Sequence, residues 1–342
     1  MTVDPAAHPQ LATRSSQLVD CHAHVIPSAA LKRFPDPDRP SLVTAEHRVL
    51  ARMLAEHDRV GITHAVVSDS FFMESARDAL PEWSPLDRAK LFNDGMVELV
   101  GRYPGRLFGL GCIDAFGGEA AASELERLTR LPGLYGVLVN PAAGASDRSP
   151  EDAEYLDSPR AEPFLAAAEA LDVPIFLHPS RDLPAPAHSN EFALHVGVAR
   201  PHQTATCVAR MIYAGTFDHH PGLRMLLAHG GGTLPYLAGR LDGTWQGYRP
   251  GRWDGPDLLT RPPSSYLARL CCDTNLWSAP ALRLAVETFG TANVLFGNDL
   301  PPVWVPLDGP VAMLSDLGLS DADLDGVRWR NAARFFSLPL SE

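Results

Sequence analysis

His22 and His24 stand two residues apart at the end of the apolar run Gln-Leu-Val-Asp-Cys. Three more polar positions close apolar runs further along: His178 after Val-Pro-Ile-Phe-Leu, His229 after Leu-Arg-Met-Leu-Leu-Ala and Asp299 after Val-Leu-Phe-Gly-Asn. Side chains at i and i+2 of a strand point to the same side, so His22 and His24 can face one point in space. Neutral imidazole is the commonest metal ligand among side chains. A His-x-His pair alone says little. Its weight comes from His178, His229 and Asp299 at the same end of later runs, with Asp20 two residues before His22. Two or three imidazoles with one carboxylate suit a borderline divalent ion, and a position left open to substrate marks a catalytic rather than a structural site. Zn2+ is the first expectation, and Mn2+ or Fe2+ fits the same ligand types.

The elements that must position these groups alternate along the chain. Strand-like segments fall at 18–22, 63–68, 106–112, 134–140, 173–178, 223–229, 267–272 and 293–297, and helix-like segments at 45–60, 85–103, 118–130, 162–171, 203–217, 280–289 and 321–336. Eight such units spell an α/β fold, a distorted (β/α)8 TIM barrel, whose strands carry catalytic groups at their carboxyl ends. We read 17–342 as one barrel domain and 1–16 as a flexible N-terminal tail. The long irregular stretches 27–44, 141–160, 179–201 and 248–264 are expected to wall the barrel mouth.

Composition narrows the class. Of 342 residues, 45% are hydrophobic and 20% charged, as in a globular protein with a full core. A formal net charge of −12 argues against nucleic acid, whose phosphates call for a basic surface. No run approaches the roughly 18 apolar residues of a membrane span, and the first residues lack a signal peptide's apolar centre. Cys21, Cys112, Cys207, Cys271 and Cys272 form no Cys-x-x-Cys pair and leave an odd thiol, which suits a reducing, cytoplasmic setting. Lone histidines such as His57, His64 and His220 are read as structural or solvated.

Several longer stretches carry a resemblance. Asp20-Cys-His-Ala-His-Val-Ile-Pro27, His178-Pro179, Ala228-His-Gly-Gly-Gly232, Leu234-Pro-Tyr-Leu-Ala-Gly-Arg-Leu-Asp242, Arg261-Pro-Pro-Ser-Ser-Tyr266, Gly297-Asn-Asp-Leu-Pro301 and Arg330-Asn-Ala-Ala-Arg-Phe-Phe336 together resemble the amidohydrolase superfamily. Within it, the chain resembles the branch of aminocarboxymuconate semialdehyde decarboxylase and related decarboxylases. The resemblance spans about 18–337. It implies that His22, His24, His178 and Asp299 hold one metal and that His229 stands beside it as acid or base. It also implies a homodimer in which Arg240 reaches the neighbouring subunit's site to bind a substrate carboxylate. Two-metal relatives bridge their ions with a carboxylated lysine on a middle strand. The only lysines here, Lys32 and Lys90, lie on no strand-like segment, so one metal is expected. Dihydroxybenzoate decarboxylases often carry Glu in place of the first His and His-x-Gly-Glu in place of His-Gly-Gly-Gly; this chain has neither and resembles the semialdehyde type more.

Gly230, Gly231 and Gly232 lack the Gly-Lys-Ser/Thr or spaced-glycine context of a phosphate loop, and close backbone approach explains them better. Arg240 offers a guanidinium fork suited to a carboxylate. Arg39, Arg48 and Arg52 are further candidates for a second carboxylate contact. Histidine titrates near neutrality, which suits His229 to proton transfer, and Asp299 could bind metal and also shuttle a proton. The expected activity is metal-dependent, non-oxidative decarboxylation of a small unsaturated or aromatic carboxylic acid. Hydrolysis of a lactone, amide or related bond, or hydration of an unsaturated acid, is the alternative on the same barrel.

Overall fold

The computed structural model describes residues 17–36, 44–143, 153–179, 181, 191–248, 259–301 and 304–341. The expected tail and Arg39 lie outside the described residues. Eight parallel strands run β1 Val19–His24, β2 His64–Ser68, β3 Leu107–Cys112, β4 Leu134–Val139, β5 Ile175–Leu177, β6 Met225–Leu227, β7 Cys271–Asp273 and β8 Val294–Leu295, each paired with the next in sequence order. The residues just past β8 return to β1. Cys21 N–H donates to Phe296 O at 2.8 Å, Asp299 N–H to His22 O at 2.8 Å and His24 N–H to Leu300 O at 2.7 Å. The barrel is thus closed by the segment that carries Asp299.

The longer helices between the strands are α1 Glu46–Val60, α2 Phe72–Ala79, α3 Pro85–Gly101, α4 Glu119–Leu128, α5 Glu162–Ala170, α6 Arg200–Tyr213, α7 Leu234–Tyr248 and α8 Ala279–Phe289, and α9 Asp308–Ser315 follows β8. In α1 the buried Val49, Leu50, Met53 and His57 recur at helical spacing. The helix stops where Gly61 turns left-handed at φ 81°, and the backbone N–H of Gly61 closes on Asp58 O. α3 starts at Ser84, whose hydroxyl accepts the Asp87 N–H, with proline in the first turn, where its missing donor costs nothing.

Two apolar layers hold the barrel. Ala65, Val67, Val137, Val139, Ile175, Leu177 and Leu227 face outward into the helices. Val19, Cys21, Val66, Phe108, Leu110, Leu138, Phe176, Leu226 and Leu295 fill the interior, where Trp329, Phe335 and Phe336 of the closing segment cap the end away from the site. The interior is therefore solid below the strand ends. Register between β1 and β2 slips by one residue between the Asp20–Ala65 and Ala23–Val67 pairs. That bulge lets the even-numbered His22 and His24 reach the interior that the odd-numbered Val19 and Cys21 fill below them.

The sequence-derived segments need adjusting in places. The seventh strand starts later than expected, because Ser264–Leu267 forms a helical turn. The closing helix is broken by a π turn, Gly326–Arg330, between Asp321–Asp325 and Asn331–Phe336. Parts of the expected mouth walls at 27–44, 141–160, 179–201 and 248–264 lie outside the described residues. Among the described residues no helix is long and apolar enough to cross a membrane. All five cysteines are buried and none forms a disulfide.

Candidate metal centre

β1 ends in His22 and His24, β5 is followed by His178, and the turn after β8 delivers Asp299. Potential ligand atoms of these four residues lie within 4.8 Å of one another, all in buried residues. Asp299 Oδ1 is the common point, 2.9 Å from His24 Nε2, 3.2 Å from His22 Nε2 and 4.0 Å from His178 Nε2. The Nε2 atoms of His22 and His24 are themselves 3.0 Å apart. Phe176 lies under His22, ring centroids 4.9 Å apart, and forms an apolar floor.

Hydrogen bonds on the far sides of the rings select which nitrogen faces the centre. His22 Nδ1 donates to Asp273 Oδ2 at 2.6 Å, and His178 Nδ1 donates to Pro179 O at 2.7 Å. With the proton on Nδ1, His178 Nε2 presents a lone pair, and that atom is buried with no hydrogen-bond partner. An orphaned buried acceptor among two imidazoles and a carboxylate fits a divalent cation, which needs this kind of donor set and this kind of carboxylate behind a ligand histidine.

The electrostatics favour positive charge at the same point. Burial works against a charged His22, yet Asp299 and Asp273 outweigh it and raise its pKa to about 10. Burial would push the Asp299 carboxyl up, but His22, His229 and His24 hold it well below the usual carboxylate range. His178 is driven well below the usual imidazole value by burial and by the neighbouring histidines, so it stays neutral.

His229 belongs to the group without being one of the four. Its Nε2 lies 3.3 Å from Asp299 Oδ2, the oxygen turned away from the imidazole cluster, and Asn275 Nδ2 donates to the same oxygen at 3.2 Å. His229 and Asp299 both adopt left-handed backbone, φ 58° and 63°, which non-glycine residues rarely do. Asp273 holds the first of these in place, accepting the His229 N–H at 3.0 Å and the Gly230 N–H at 2.8 Å. The His-Gly-Gly-Gly turn is built for close approach: a β-carbon on Gly232 would come within 2.1 Å of Pro201 O.

Asp273 was missed in the sequence, although an aspartate directly at the carboxyl end of the seventh strand was a readable signal. Asp20, which the sequence did single out, works behind the site. Its Oδ1 accepts the His22 N–H at 3.0 Å and its Oδ2 accepts Asn298 Nδ2 at 2.7 Å, tying the Asp299 segment to β1. Arg240 does not join the cluster; it sits exposed on α7. Arg48 is exposed on α1, and Arg52 stacks on Trp304 at 3.7 Å. Lys90 is on α3 and Lys32 follows the short turn Ser28–Leu31, so neither stands at a strand end.

Comparison with known proteins agrees with the sequence resemblance. A family model described as amidohydrolase matches residues 19–338. A gamma-resorcylate decarboxylase of Rhodococcus jostii is 30% identical over 273 residues, covering 77% of this chain and 80% of that protein. A 2-amino-3-carboxymuconate-6-semialdehyde decarboxylase of Dictyostelium discoideum is 28% identical over 220 residues, 63% of this chain and 57% of that protein. Among solved structures, a dihydroxybenzoic acid decarboxylase from Polaromonas, with bound manganese and 2-nitroresorcinol, superposes with a TM-score of 0.72 at 24% identity, over 95% of this chain and 98% of that one. Relatives of both the resorcylate and the semialdehyde type are therefore present. The expected barrel and the expected kinship are borne out, and the chain belongs to the amidohydrolase family, on the branch that holds these decarboxylases.

Proposed function

We propose that the protein is a metal-dependent carboxy-lyase that removes CO2, without oxidation, from a small aromatic or conjugated carboxylic acid. The observation that carries this reading is Asp299: one oxygen joins three imidazoles in a cation-ready cluster while the other meets His229. Decarboxylase relatives covering most of the chain support the choice of reaction.

His22, His24, His178 and Asp299 would hold the ion. Ligand type favours Zn2+, and the manganese of the Polaromonas relative makes Mn2+ the rival. When bound, a divalent cation supplies Lewis-acid charge that orients and polarises substrate oxygens. The chain's own residues supply the rest. In the reaction the bond from the carboxyl carbon to the ring or alkene carbon breaks, its electron pair stays on that carbon, and a proton must arrive there as CO2 departs. His229 Nε2 and Asp299 Oδ2 lie within hydrogen-bond reach at 3.3 Å, so a proton can pass between them on its way to that carbon. Phe176 closes the floor against water.

We read the working molecule as a cytoplasmic homodimer built from one barrel domain, 17–342, behind a tail, 1–16. The exposure of Arg240 on α7 leaves it available to a neighbouring subunit's site, and five unpaired thiols suit a reducing compartment. The experiment is to incubate the metal-loaded protein with a panel of aromatic and conjugated acids that includes 2,6-dihydroxybenzoate and 5-carboxyvanillate, and to score CO2. Release from a member is expected. Cleavage of lactones or amides with no CO2 from any acid would move the reading to a hydrolase.

A further inference from the structure

Arg200 opens α6 at the barrel mouth, and contacts on two sides fix where it lies. Its guanidinium carbon stands 4.9 Å over the ring of Phe71, in the segment that follows β2. Its neighbour Pro201 presses on Gly232, three residues past His229, so closely that no β-carbon fits there. Arg200 is therefore held between the rim of β2 and the turn after β6, on the same end of the barrel as Asp299 and the histidines. The residue is only partly exposed.

Among the described residues this guanidinium has no hydrogen bond and no ion pair, only the stacking on Phe71. Burial presses its pKa down, and the charges of Asp299 and Glu74 act in the opposite sense. Asp299 cannot serve as its partner, because Oδ1 is taken by His22 and His24 and Oδ2 by His229 and Asn275. Arginine stacks through its face and hydrogen-bonds through its edge, so Phe71 leaves the donor fork free. A partly desolvated fork without an acceptor is costly, and the ligand that matches its geometry is a carboxylate.

We propose that Arg200 binds a carboxylate of the substrate from within the same chain, at the end of the barrel that carries Asp299 and independently of Arg240. This rests on the decarboxylase reading for the class of ligand.

The test is equilibrium titration of the metal-loaded protein, in a His229→Asn background expected to slow turnover, with 2,6-dihydroxybenzoate and with its neutral amide, read before any CO2 is detected. Arg200→Gln should weaken the acid roughly 10- to 150-fold, the worth of a charge-assisted hydrogen bond, and leave the amide unchanged. Arg200→Lys, which keeps the charge without the fork, should recover part of the loss. Equal loss for acid and amide, no loss for the acid, or no binding of the acid when Arg200 is intact overturns the proposal. Arg200-dependent preference for the acid, with no CO2 from protein that retains His229, would remove the decarboxylase reading alone.

Discussion

Asp273 accepts the Nδ1 proton of His22 at 2.6 Å and thereby turns His22 Nε2 toward Asp299. The same carboxylate accepts the backbone N–H groups of His229 and Gly230. One side chain at the end of β7 thus sets both the tautomer of a proposed ligand imidazole and the strained backbone of His229, the proposed acid–base group. Asp273→Asn should leave the barrel folded and lower metal affinity about 10- to 100-fold, the usual cost of losing a carboxylate behind a ligand histidine. Competition with a chromogenic chelator measures this, and an unchanged affinity would mean that Asp273 serves the backbone alone.

His178 makes a sharper case, because its Nε2 has no other partner to lose. His178→Ala should abolish stoichiometric metal while thermal melting remains cooperative. Elemental analysis of the dialysed protein decides the matter. One ion per chain in the variant would remove His178 from the ligand set.

His229 touches Asp299 through the oxygen that faces away from the other imidazoles. His229→Asn should therefore retain the ion and lose roughly 10²- to 10⁴-fold in kcat, the range expected for a proton-transfer group. Loss of the ion would make His229 a ligand. Full turnover would leave Asp299 as the group that moves the proton.

Away from the site, His220 links α5 to the segment before β6, with Nδ1 2.9 Å from Glu169 and Nε2 3.1 Å from Glu162. Burial opposes charge on this ring, but the two carboxylates prevail and its pKa is raised above 6.5. A raised folded-state pKa gives stability that is complete below the unfolded value and lost as pH climbs through the folded one. The melting temperature of wild type should exceed that of His220→Gln most clearly below the ordinary imidazole range, and the gap should shrink as pH rises above it. A gap that widens with pH would contradict the assignment.

The barrel and most of the cluster were legible because strand ends in such folds are marked by polar residues that interrupt apolar runs. His22, His24, His178, His229 and Asp299 all stand at such interruptions. The β1 bulge was not legible, since nothing in the alternation of Val19, Asp20, Cys21 and His22 announces a one-residue slip. Asp273 escaped because the apolar run 267–272 reads as the whole strand, whereas its first residue ends a helical turn. Arg200 fell within the irregular stretch 179–201, yet proline is tolerated in a first turn and α6 starts at Arg200 with Pro201 next. α2 was missed because Phe72, Ser75, Ala76 and Ala79 are buried together in only two turns, too short for a periodic stripe to stand out.

The most direct measurement follows the carbon that loses its carboxyl group. Metal-loaded protein is incubated with an accepted aromatic acid in D2O, and the product is analysed by mass spectrometry and proton NMR beside a chelator-treated control. The account predicts one CO2 per product, one deuterium at the vacated carbon and no reaction after chelation. A product that keeps its carboxyl group, or full conversion by the metal-free protein, would contradict it.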